Sequence, residues 1–351
     1  MAPRPQLTER VLFECDENAE IDSHNDEDCS QVQQRDLKFD ISTIIRDLRN
    51  LDYSKVVWRN VILFALLHFY SFYGIYLAIF HASWPTLIFT YVLYILSGLG
   101  ITMGCHRLWA HRSFTANLPL RIFLCFCQTL AFQNDIYDWA RDHRTHHKYS
   151  ETDADPHNAR RGFFFSHMGW LMYRKHPLVV EKGRKLDLSD VISDPVVRFQ
   201  RKYYLPLVIT TCFVMPSVVP WMYFKQDYVT ALMVPGFLRY TLVLHITWFV
   251  NSLAHYIGSK PFDKSIFPSQ NGLVAYLALG EGWHNYHHVF PWDYRTAELG
   301  GLLNFNFTTL VIDFFHKIGW ASELKTVKPD TIEKRILRTG DGSHKTVKKV
   351  N

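Results

Sequence analysis

Long apolar blocks separated by polar stretches are the main feature of this 351-residue chain. Two blocks, residues 61–80 and 86–105, contain no formal charge and are joined by the short uncharged link at 81–85. Two more, residues 203–224 and 229–254, repeat the arrangement across another brief link. Each block has the roughly 20 residues that a helix needs to cross hydrocarbon. The pattern predicts four transmembrane helices in two hairpins.

Positive charges stand at the outer ends of both hairpins. Lys55 precedes the first span, Arg107 follows the second, and Lys260 lies beyond the fourth. The positive-inside rule then places both termini and the long central segment on the cytoplasmic side. The chain is therefore predicted to be an all-α membrane protein with a cytoplasmic helical cap, formed by about 106–202 and 255–341.

Three further apolar stretches do not qualify as spans. Residues 118–134 are interrupted by Arg121 and Gln128, so we expect an amphipathic helix lying at the membrane interface. Residues 271–280 and 299–318 are too short or too mixed in character, and we expect them to pack against the cap.

Charge divides the chain into a tail and a body. Residues 1–40 hold eleven acidic and four basic residues, a net charge of −7. The remaining residues carry +12, so the whole chain has a net charge of +5. The polar, acidic composition of residues 1–40 predicts a disordered tail, followed by a membrane domain at 41–341 and a basic C-terminal tail at 342–351. The basic body suits an anionic lipid surface or an anionic substrate and also follows from topology. We expect no nucleic-acid partner.

Histidines are concentrated near the predicted membrane surface. Eight of the eighteen fall in three short windows: His106-Arg-Leu-Trp-Ala-His111, His143-Arg-Thr-His146-His147 and His284-Asn-Tyr-His287-His288. One such pair is often structural, but three clusters in one chain indicate metal binding.

The spacing within each window predicts its geometry. In the second and third windows the histidines stand at i, i+3 and i+4, so three imidazoles share one face of a helix. His106 and His111 are five residues apart and would diverge on a regular helix. We therefore expect the second span to end near His106 and the chain to turn before His111.

The number and type of ligands predict two metal ions. Neutral imidazole suits iron, zinc, copper and nickel, and eight histidines are too many for one ion. No HExxH sequence is present, and the windows are poor in cysteine and carboxylate, which argues against zinc-protease, zinc-finger and ferritin-like sites. His255, four residues after Asn251 and eight after Thr247, is either a ninth ligand or a capping histidine.

The sequence motifs around these histidines resemble those of the membrane acyl-CoA desaturases, the stearoyl-CoA desaturase family. HRLWAH, RDHRTHH, NSLAH and GEGWHNYHHVFPWDYR carry the resemblance, which runs from about Val57 to Asp341. The stretches WRNVILFALLH, AFQNDIYDWARDHRTHHKYSETDADPHN and KTVKPDTIEKRILRTGDG are most similar to the insect branch.

The resemblance implies a metal site and its partners. It implies two iron ions (Fe²⁺), with Asn251 reaching one of them through water. The implied ligands are His106, His111, His143, His146, His147, His255, His284, His287 and His288. It further implies O₂ as oxidant, a fatty acyl-CoA substrate, and electrons from cytochrome b5 and NADH-cytochrome b5 reductase. The implied location is the endoplasmic reticulum membrane, with the active site cytoplasmic.

The same resemblance implies residues that bind the substrate. For the coenzyme A head group they are Asn60, Asn134, Arg141, Asp142, Arg174 and Lys175. For a kinked acyl tunnel they are Gln133, Trp139, Thr247 and Trp248 near the bend, with Tyr94 and Gly98 near the far end. For Gly98, simple helix packing is an equally good explanation.

Three functions remain distinguishable at this point. The leading expectation is an acyl-CoA desaturase that inserts a cis double bond, most simply at the ninth carbon. A close rival is a desaturase of other regiospecificity or a di-iron lipid hydroxylase. A remote rival is a non-catalytic membrane metal-binding protein, which would need polar residues continuing through the spans.

Overall fold

The protein was analysed as a computed structural model that describes residues 52–301 and 304–347. The predicted acidic tail at 1–40 lies outside the described residues, and the predicted basic tail is described only as far as Val347.

Helices account for most of the described chain. In chain order the longer ones are α1 (Trp58–Phe80), α2 (Trp84–Ala110), α3 (Leu118–Ala131), α4 (Ile136–Lys148), α5 (Pro177–Arg184), α6 (Ser189–Ser193), α7 (Pro195–Lys202), α8 (Tyr204–Tyr223), α9 (Tyr228–Tyr256), α10 (Gly272–Leu277), α11 (His284–Val289), α12 (Phe307–Lys317) and α13 (Pro329–Thr339). Short helical turns lie at Tyr53–Lys55, Ala159–Arg161 and Phe165–Gly169, the last continuing as Trp170–Met172. Strands β1 (Thr115–Ala116) and β2 (Ala321–Ser322) form one antiparallel pair.

Four helices are long and apolar enough to cross a membrane, namely α1, α2, α8 and α9. They coincide with the four predicted spans, so the predicted multi-pass, all-α fold is confirmed. Large apolar side chains such as Phe72, Ile79 and Tyr91 are more than 60% exposed on their outer faces. In water such surface would be costly, but in a bilayer it is solvated by lipid.

The spans pack closely around α9. Helix α1 lies against the first half of α9, and α2 packs against both α9 and α3. At the α2–α3 crossing, a Cβ added to Gly100 would lie 2.2 Å from the Gln128 backbone nitrogen. A glycine at this position is therefore required for the two backbones to approach.

Arg239 is a fully buried charge in α9. Its guanidinium donates hydrogen bonds to the carbonyl oxygens of Pro235, Leu130 and Cys212 and to the Ser97 hydroxyl. These contacts connect α3 and α8 to the α2–α9 pair. The hydrogen bonds to neighbouring helices also satisfy the charge of Arg239 inside the membrane.

Helix α3 has 14 residues, which corresponds to about 21 Å and is too short to cross hydrocarbon. Its Leu120 and Leu124 are buried in the largest apolar cluster, while Leu118, Ile122 and Phe126 are exposed at four-residue intervals. Helices α10 and α12 are shorter still, with 6 and 11 residues. Helix α10 packs against α9, and α12 packs against the last segment of α2.

Candidate metal centre and substrate cavity

Eight histidines on four helices, together with His111 directly after α2, bring their ring nitrogens together in two groups. The first group consists of His106, His111, His143, His147 and His287. The second consists of His146, His255, His284 and His288. Within each group the ligand atoms lie within 4.8 Å of one another. The two groups adjoin, because the His147 and His288 rings stack at 4.2 Å between centroids.

The placement of His106 and His111 corrects the expected end of the second span. Helix α2 does not end near His106 but runs on to Ala110, and its last segment, Gly100–Ala110, is a π-helix. The His111 N–H donates a 3.0 Å hydrogen bond to the His106 carbonyl, the i to i+5 pattern of that helix type. In this helix type, residues five apart lie on one face. His106 and His111, which would diverge on an α-helix, can therefore belong to the same group.

Helix α4 presents its histidines to both groups. Its N-terminus is fixed by Asp135, whose carboxylate accepts a 2.9 Å hydrogen bond from the Asp138 N–H, and by Gln200, whose side-chain oxygen accepts the Ile136 N–H at 3.0 Å. The i, i+3 and i+4 spacing does place three imidazoles on one side of α4. The middle one, His146, joins the second group.

Helix α11 is arranged in a complementary way. His287 joins the first group, with Nε2 2.9 Å from His106 Nε2 and 3.0 Å from His147 Nε2. His284 and His288 join the second group, and His284 Nε2 lies 3.0 Å from His255 Nε2. The two ligand helices thus each serve both groups, which makes the groups one unit.

Three of these histidines contact a carboxylate through the ring nitrogen Nδ1. The contacts are His106 Nδ1 to Glu281 at 2.9 Å, His146 Nδ1 to Asp155 at 2.9 Å, and His255 Nδ1 to Glu151 at 2.7 Å. A carboxylate facing Nδ1 keeps the proton there and leaves the Nε2 lone pair directed into the group. With the proton at Nδ1, each of these imidazoles can offer its Nε2 lone pair to a metal ion.

Burial also favours the neutral form of the histidines outside the spans. Desolvation, reinforced by the neighbouring imidazoles, holds the pKa well below the usual 6.5 for His111, His143, His147, His284, His287 and His288. His146 differs: burial opposes its cation, but the carboxylates of Asp155 and Glu151 together outweigh burial and raise its pKa.

The donor set fits two cations bound by nitrogen. Opposed Nε2 lone pairs 2.9 to 3.3 Å apart repel unless a proton or a metal ion lies between them. Nine such imidazoles exclude calcium and magnesium, which take oxygen ligands. The carboxylates face Nδ1 of the imidazoles, the position at which a metal-bound histidine commonly donates a hydrogen bond.

A cavity of about 560 Å³ leads to the first group from one side of the bundle. Asn60, Asn134 and Asp142 line it, and it reaches His143 and Trp139. Its remaining wall is largely apolar and includes Trp170, Phe64 and Trp248.

A smaller inner cavity of about 60 Å³ borders both histidine groups. Tyr94, Gly98 and Leu279 line it together with His106 and His284. The two cavities share four lining residues: Trp139, His143, Thr247 and Asn251. They therefore meet beside the two histidine groups.

Comparisons with known proteins agree with this site. The model of the fatty acid desaturase family matches residues 82–299. The chain belongs to the fatty acid desaturase family. It is 58% identical over 290 residues to an acyl-CoA Delta-9 desaturase of Acheta domesticus. The aligned residues make up 83% of this chain and 80% of that protein.

Two further relatives extend the comparison. The chain is 56% identical to stearoyl-CoA desaturase 5 of Bos taurus over 82% of this chain and 85% of that protein. It is 53% identical to an acyl-CoA Delta(11) desaturase of Trichoplusia ni over 82% of both chains. Members of this family are oxidoreductases, so this fatty acid desaturase is an enzyme.

The expected acyl-tunnel residues of this desaturase lie at the cavities. Gln133 and Trp248 line the outer cavity, Tyr94 and Gly98 line the inner one, and Thr247 lies where they meet. The Tyr94 hydroxyl donates a 2.6 Å hydrogen bond to the Leu277 carbonyl at the inner end.

The expected head-group residues divide into two sets. Asn60, Asn134 and Asp142 line the outer cavity, and Asp142 forms ion pairs with Arg141 and Lys175. Arg174 is exposed and does not line either described cavity. Asn60, Asn134 and Asp142 thus form part of the cavity wall, whereas Arg141 and Lys175 are connected to that wall through Asp142.

The carboxylates behind the ligands were not predicted from sequence. Glu281 stands three residues before His284, and Glu151 and Asp155 follow the His146-His147 pair closely, but acidic residues near histidines have no spacing rule. Glu281 also accepts two hydrogen bonds from buried Arg107, at 3.0 and 2.8 Å. Only the folded loops reveal these partners.

Proposed function

We propose that the protein is an oxygen-dependent acyl-CoA desaturase that inserts a cis double bond into a saturated fatty acyl-CoA. The observation that carries the proposal is the meeting of the two cavities beside the nine-histidine site. An apolar channel that changes direction at a metal site can hold a flexible chain with one methylene pair at the reacting position.

The proposed metal ions are two Fe²⁺, held by the two histidine groups. Asn251 contributes through water, because it lines both cavities beside the ligands. When bound, the iron would supply the oxidant derived from O₂. The balanced reaction is –CH₂–CH₂– + O₂ + 2 electrons + 2 H⁺ → –CH=CH– + 2 H₂O.

The chain itself binds and orients the substrate. Asn60, Asn134 and Asp142 offer hydrogen bonds to the polar head, and Arg141, Arg174 and Lys175 near the mouth suit the phosphates of coenzyme A. The acyl chain would then enter the outer cavity and continue past Trp139 toward Tyr94. Apolar walls exclude water from the reacting carbons.

The bend determines which carbon reacts. Gln133 and Thr247 are joined by a hydrogen bond where the cavities meet, and Trp139 and Trp248 supply rigid walls. We propose desaturation at the ninth carbon, supported by the similarity to a relative named as a Delta-9 desaturase. The Delta(11) name of another relative makes the eleventh carbon the main competing outcome.

The proposed setting is the endoplasmic reticulum membrane, with both termini and the site cytoplasmic. The flanking Lys and Arg residues support this orientation. Electrons would come from cytochrome b5, reduced by NADH-cytochrome b5 reductase. The histidine site lies at the C-terminal ends of α2 and α9, which this orientation would turn toward the cytoplasm.

Expression in desaturase-deficient yeast tests the proposal directly. Mass spectrometry of derivatised fatty acids should find monoenes with the double bond at the ninth carbon, and restored growth without added unsaturated fatty acid. Monoenes at another position would correct the regiochemistry alone. Hydroxylated products without monoenes would refute the proposal in favour of a hydroxylase.

The metal assignment needs its own variant. His147→Ala should abolish monoene formation while the protein remains in the membrane at wild-type abundance. His316→Ala is a suitable control, because His316 is exposed on α12, faces the Ala321 carbonyl and belongs to neither histidine group. Full activity of His147→Ala would refute the ligand assignment.

A further inference from the structure

The short loop between α3 and α4, Phe132–Asp135, carries two of the expected substrate residues. Gln133 donates a hydrogen bond to the Thr247 hydroxyl where the two cavities meet, and Asn134 lines the outer cavity. Phe132 and Asn134 have positive φ angles of 49° and 65°. Such angles are disfavoured for residues with a Cβ, above all for bulky ones. The loop therefore depends on its surroundings to keep this conformation.

Gln128, on the last turn of α3, holds the loop from one side. Its side-chain Nε2 donates a 2.6 Å hydrogen bond to the Asn134 carbonyl. The backbone nitrogen of Gln128 lies in the α2–α3 crossing, 2.2 Å from the place that a Cβ on Gly100 would occupy. Because α3 is packed so tightly against α2 at this point, Gln128 is a fixed support for the loop.

Gln200, on α7, joins the two helices that flank the loop. Its Nε2 donates to the Gln128 side-chain oxygen and, at 2.9 Å, to the Thr129 hydroxyl at the end of α3. Its side-chain oxygen accepts the N–H of Ile136, the first residue of α4, at 3.0 Å. Both amide protons and the amide oxygen of Gln200 are therefore in use. One side chain fixes both ends of the loop.

The two glutamines act on the cavity wall from behind it. Gln128 and Gln200 are 0% exposed, and neither lines either described cavity. An apolar side chain could fill the same space, but it would not determine the direction of the Asn134 carbonyl or of the Ile136 N–H. A buried, fully paired amide network favours one arrangement, because every alternative leaves a polar group without a partner.

The loop connects the head-group end of the proposed substrate site to its bend. Asn134 is on the side of the expected coenzyme A head group, and Gln133 is at the junction of the cavities. Trp139, one helical turn after Ile136, lines both cavities. The position of the loop thus determines how far the bend lies from the head group, and this distance selects the carbon that reaches the metal site.

We propose that Gln200 is a positioning residue that sets the bend of the acyl channel, because it holds the 132–135 loop and the start of α4 in place. The inference rests on the proposed function, since only a desaturase has a double-bond position to select. Gln200 touches no substrate in this role and acts through Gln128 and Ile136.

The test is Gln200→Met, which keeps a similar length and volume but removes the amide donors and leaves only a weak acceptor. Gln226→Met is the matched control. Gln226 is also buried, and its side-chain oxygen accepts the Ser83 N–H at 2.9 Å and the Thr86 hydroxyl at 3.1 Å. These contacts lie at the N-terminal ends of α2 and α9, away from the histidine groups.

Two measurements are made on each protein. Mass spectrometry of derivatised products from desaturase-deficient yeast gives the double-bond positions as ratios, which do not depend on the amount of enzyme. Hydrogen–deuterium exchange of purified protein reports local opening of the backbone at residues 132–138.

Gln200→Met should exchange faster at residues 132–138 and should form a larger share of monoenes displaced to a neighbouring carbon. Misplacement of a bound substrate by about 1 Å can cost about 100-fold in rate, so we expect turnover to fall by about 10- to 100-fold. Gln226→Met should lower thermal stability but leave the product ratio and the exchange of the loop at wild-type values. A purely structural role of Gln200 would reduce all products equally.

Gln128→Met removes the direct bond to the Asn134 carbonyl and should shift the product ratio in the same direction. The double variant Gln128→Met/Gln200→Met should shift the ratio less than the sum of the two single changes, since both residues act on one loop. If Gln200→Met does not accumulate in the membrane, Gln128→Met decides by the same two measurements.

Unshifted products from an active Gln200→Met enzyme would overturn the role in the bend and leave the proposed function intact. Shifted products without faster exchange at residues 132–138 would contradict the route through the loop. A wild-type protein that forms no monoene would refute the proposed function, and the role in the bend with it.

Discussion

The side-chain amide of Gln133 donates a 2.9 Å hydrogen bond to the Thr247 hydroxyl at the junction of the two cavities. Thr247 lies on α9, and Gln133 lies in the loop after α3, so one bond joins two separate elements beside the metal site. The Thr247 hydroxyl also donates to the Val243 carbonyl at 3.0 Å. These two hydrogen bonds fix the Thr247 hydroxyl at the proposed bend.

Thr247→Val should loosen this bend without changing its volume. Loss of one such hydrogen bond costs about 1 kcal/mol, so we expect a roughly fivefold lower turnover and a minor product with a shifted double bond. Mass spectrometry of derivatised products measures both. Thr210→Val on the exposed side of α8, where the hydroxyl bonds only its own helix, should change neither. A single unshifted product at the wild-type rate would show that the bend does not depend on this bond.

Glu281→Gln should weaken the metal site and the fold together. Glu281 pairs with fully buried Arg107 and with His106, and a buried charge left without its partner costs about 3–5 kcal/mol. Loss of the carboxylate behind a ligand commonly lowers metal affinity by about 10–100-fold. Thermal unfolding in detergent and elemental analysis measure the two effects. Glu333→Gln, at an exposed position of α13, is the control, and equal metal content in both variants would contradict the role of Glu281.

The metal-free protein should lose stability as the pH falls below about 6.5. Burial lowers the pKa of His143 and His147 in the folded state, so the unfolded chain binds more protons in this range and stability rises with pH. We expect the melting temperature of chelator-treated protein to decrease progressively from pH 7 to pH 5.5. Replacing His143 with Gln should make this dependence shallower. A melting temperature independent of pH would contradict neutral burial of these imidazoles.

Much of this architecture follows from the sequence, because lipid imposes a simple rule on apolar helices. Apolar blocks of sufficient length had to become spans, and the i, i+3 and i+4 histidines had to share a helical face. The π-helix that aligns His106 with His111 could not be predicted, since its hydrogen-bond pattern depends on packing of α2 against its neighbours. Likewise, Glu151 meets His255 across 104 positions of sequence, and Ser252 meets His167 across 85. Such partners are determined by loop paths that no local pattern encodes.

Gly98→Ala should shift the enzyme toward shorter acyl chains. A Cβ at Gly98 would lie 2.7 Å from Leu279 Cδ1, so Leu279 must move, and both residues line the inner cavity. The lost space corresponds to about one methylene, and such a difference is worth roughly 1–3 kcal/mol in discrimination. Competition between 16- and 18-carbon acyl-CoA measures the change as a ratio of products.

A matched substitution separates this effect from a general loss of stability. Gly272 begins α10, and a Cβ there would meet nothing within 4 Å, so Gly272→Ala should leave the product ratio unchanged. If Gly98→Ala also leaves the ratio unchanged, Leu279 absorbs the added methyl group without narrowing the cavity. Gly98 would then serve only the packing of α2, and the chain-length limit would have to lie elsewhere along the inner wall, with Tyr94 and its hydrogen bond to the Leu277 carbonyl as the next residue to alter.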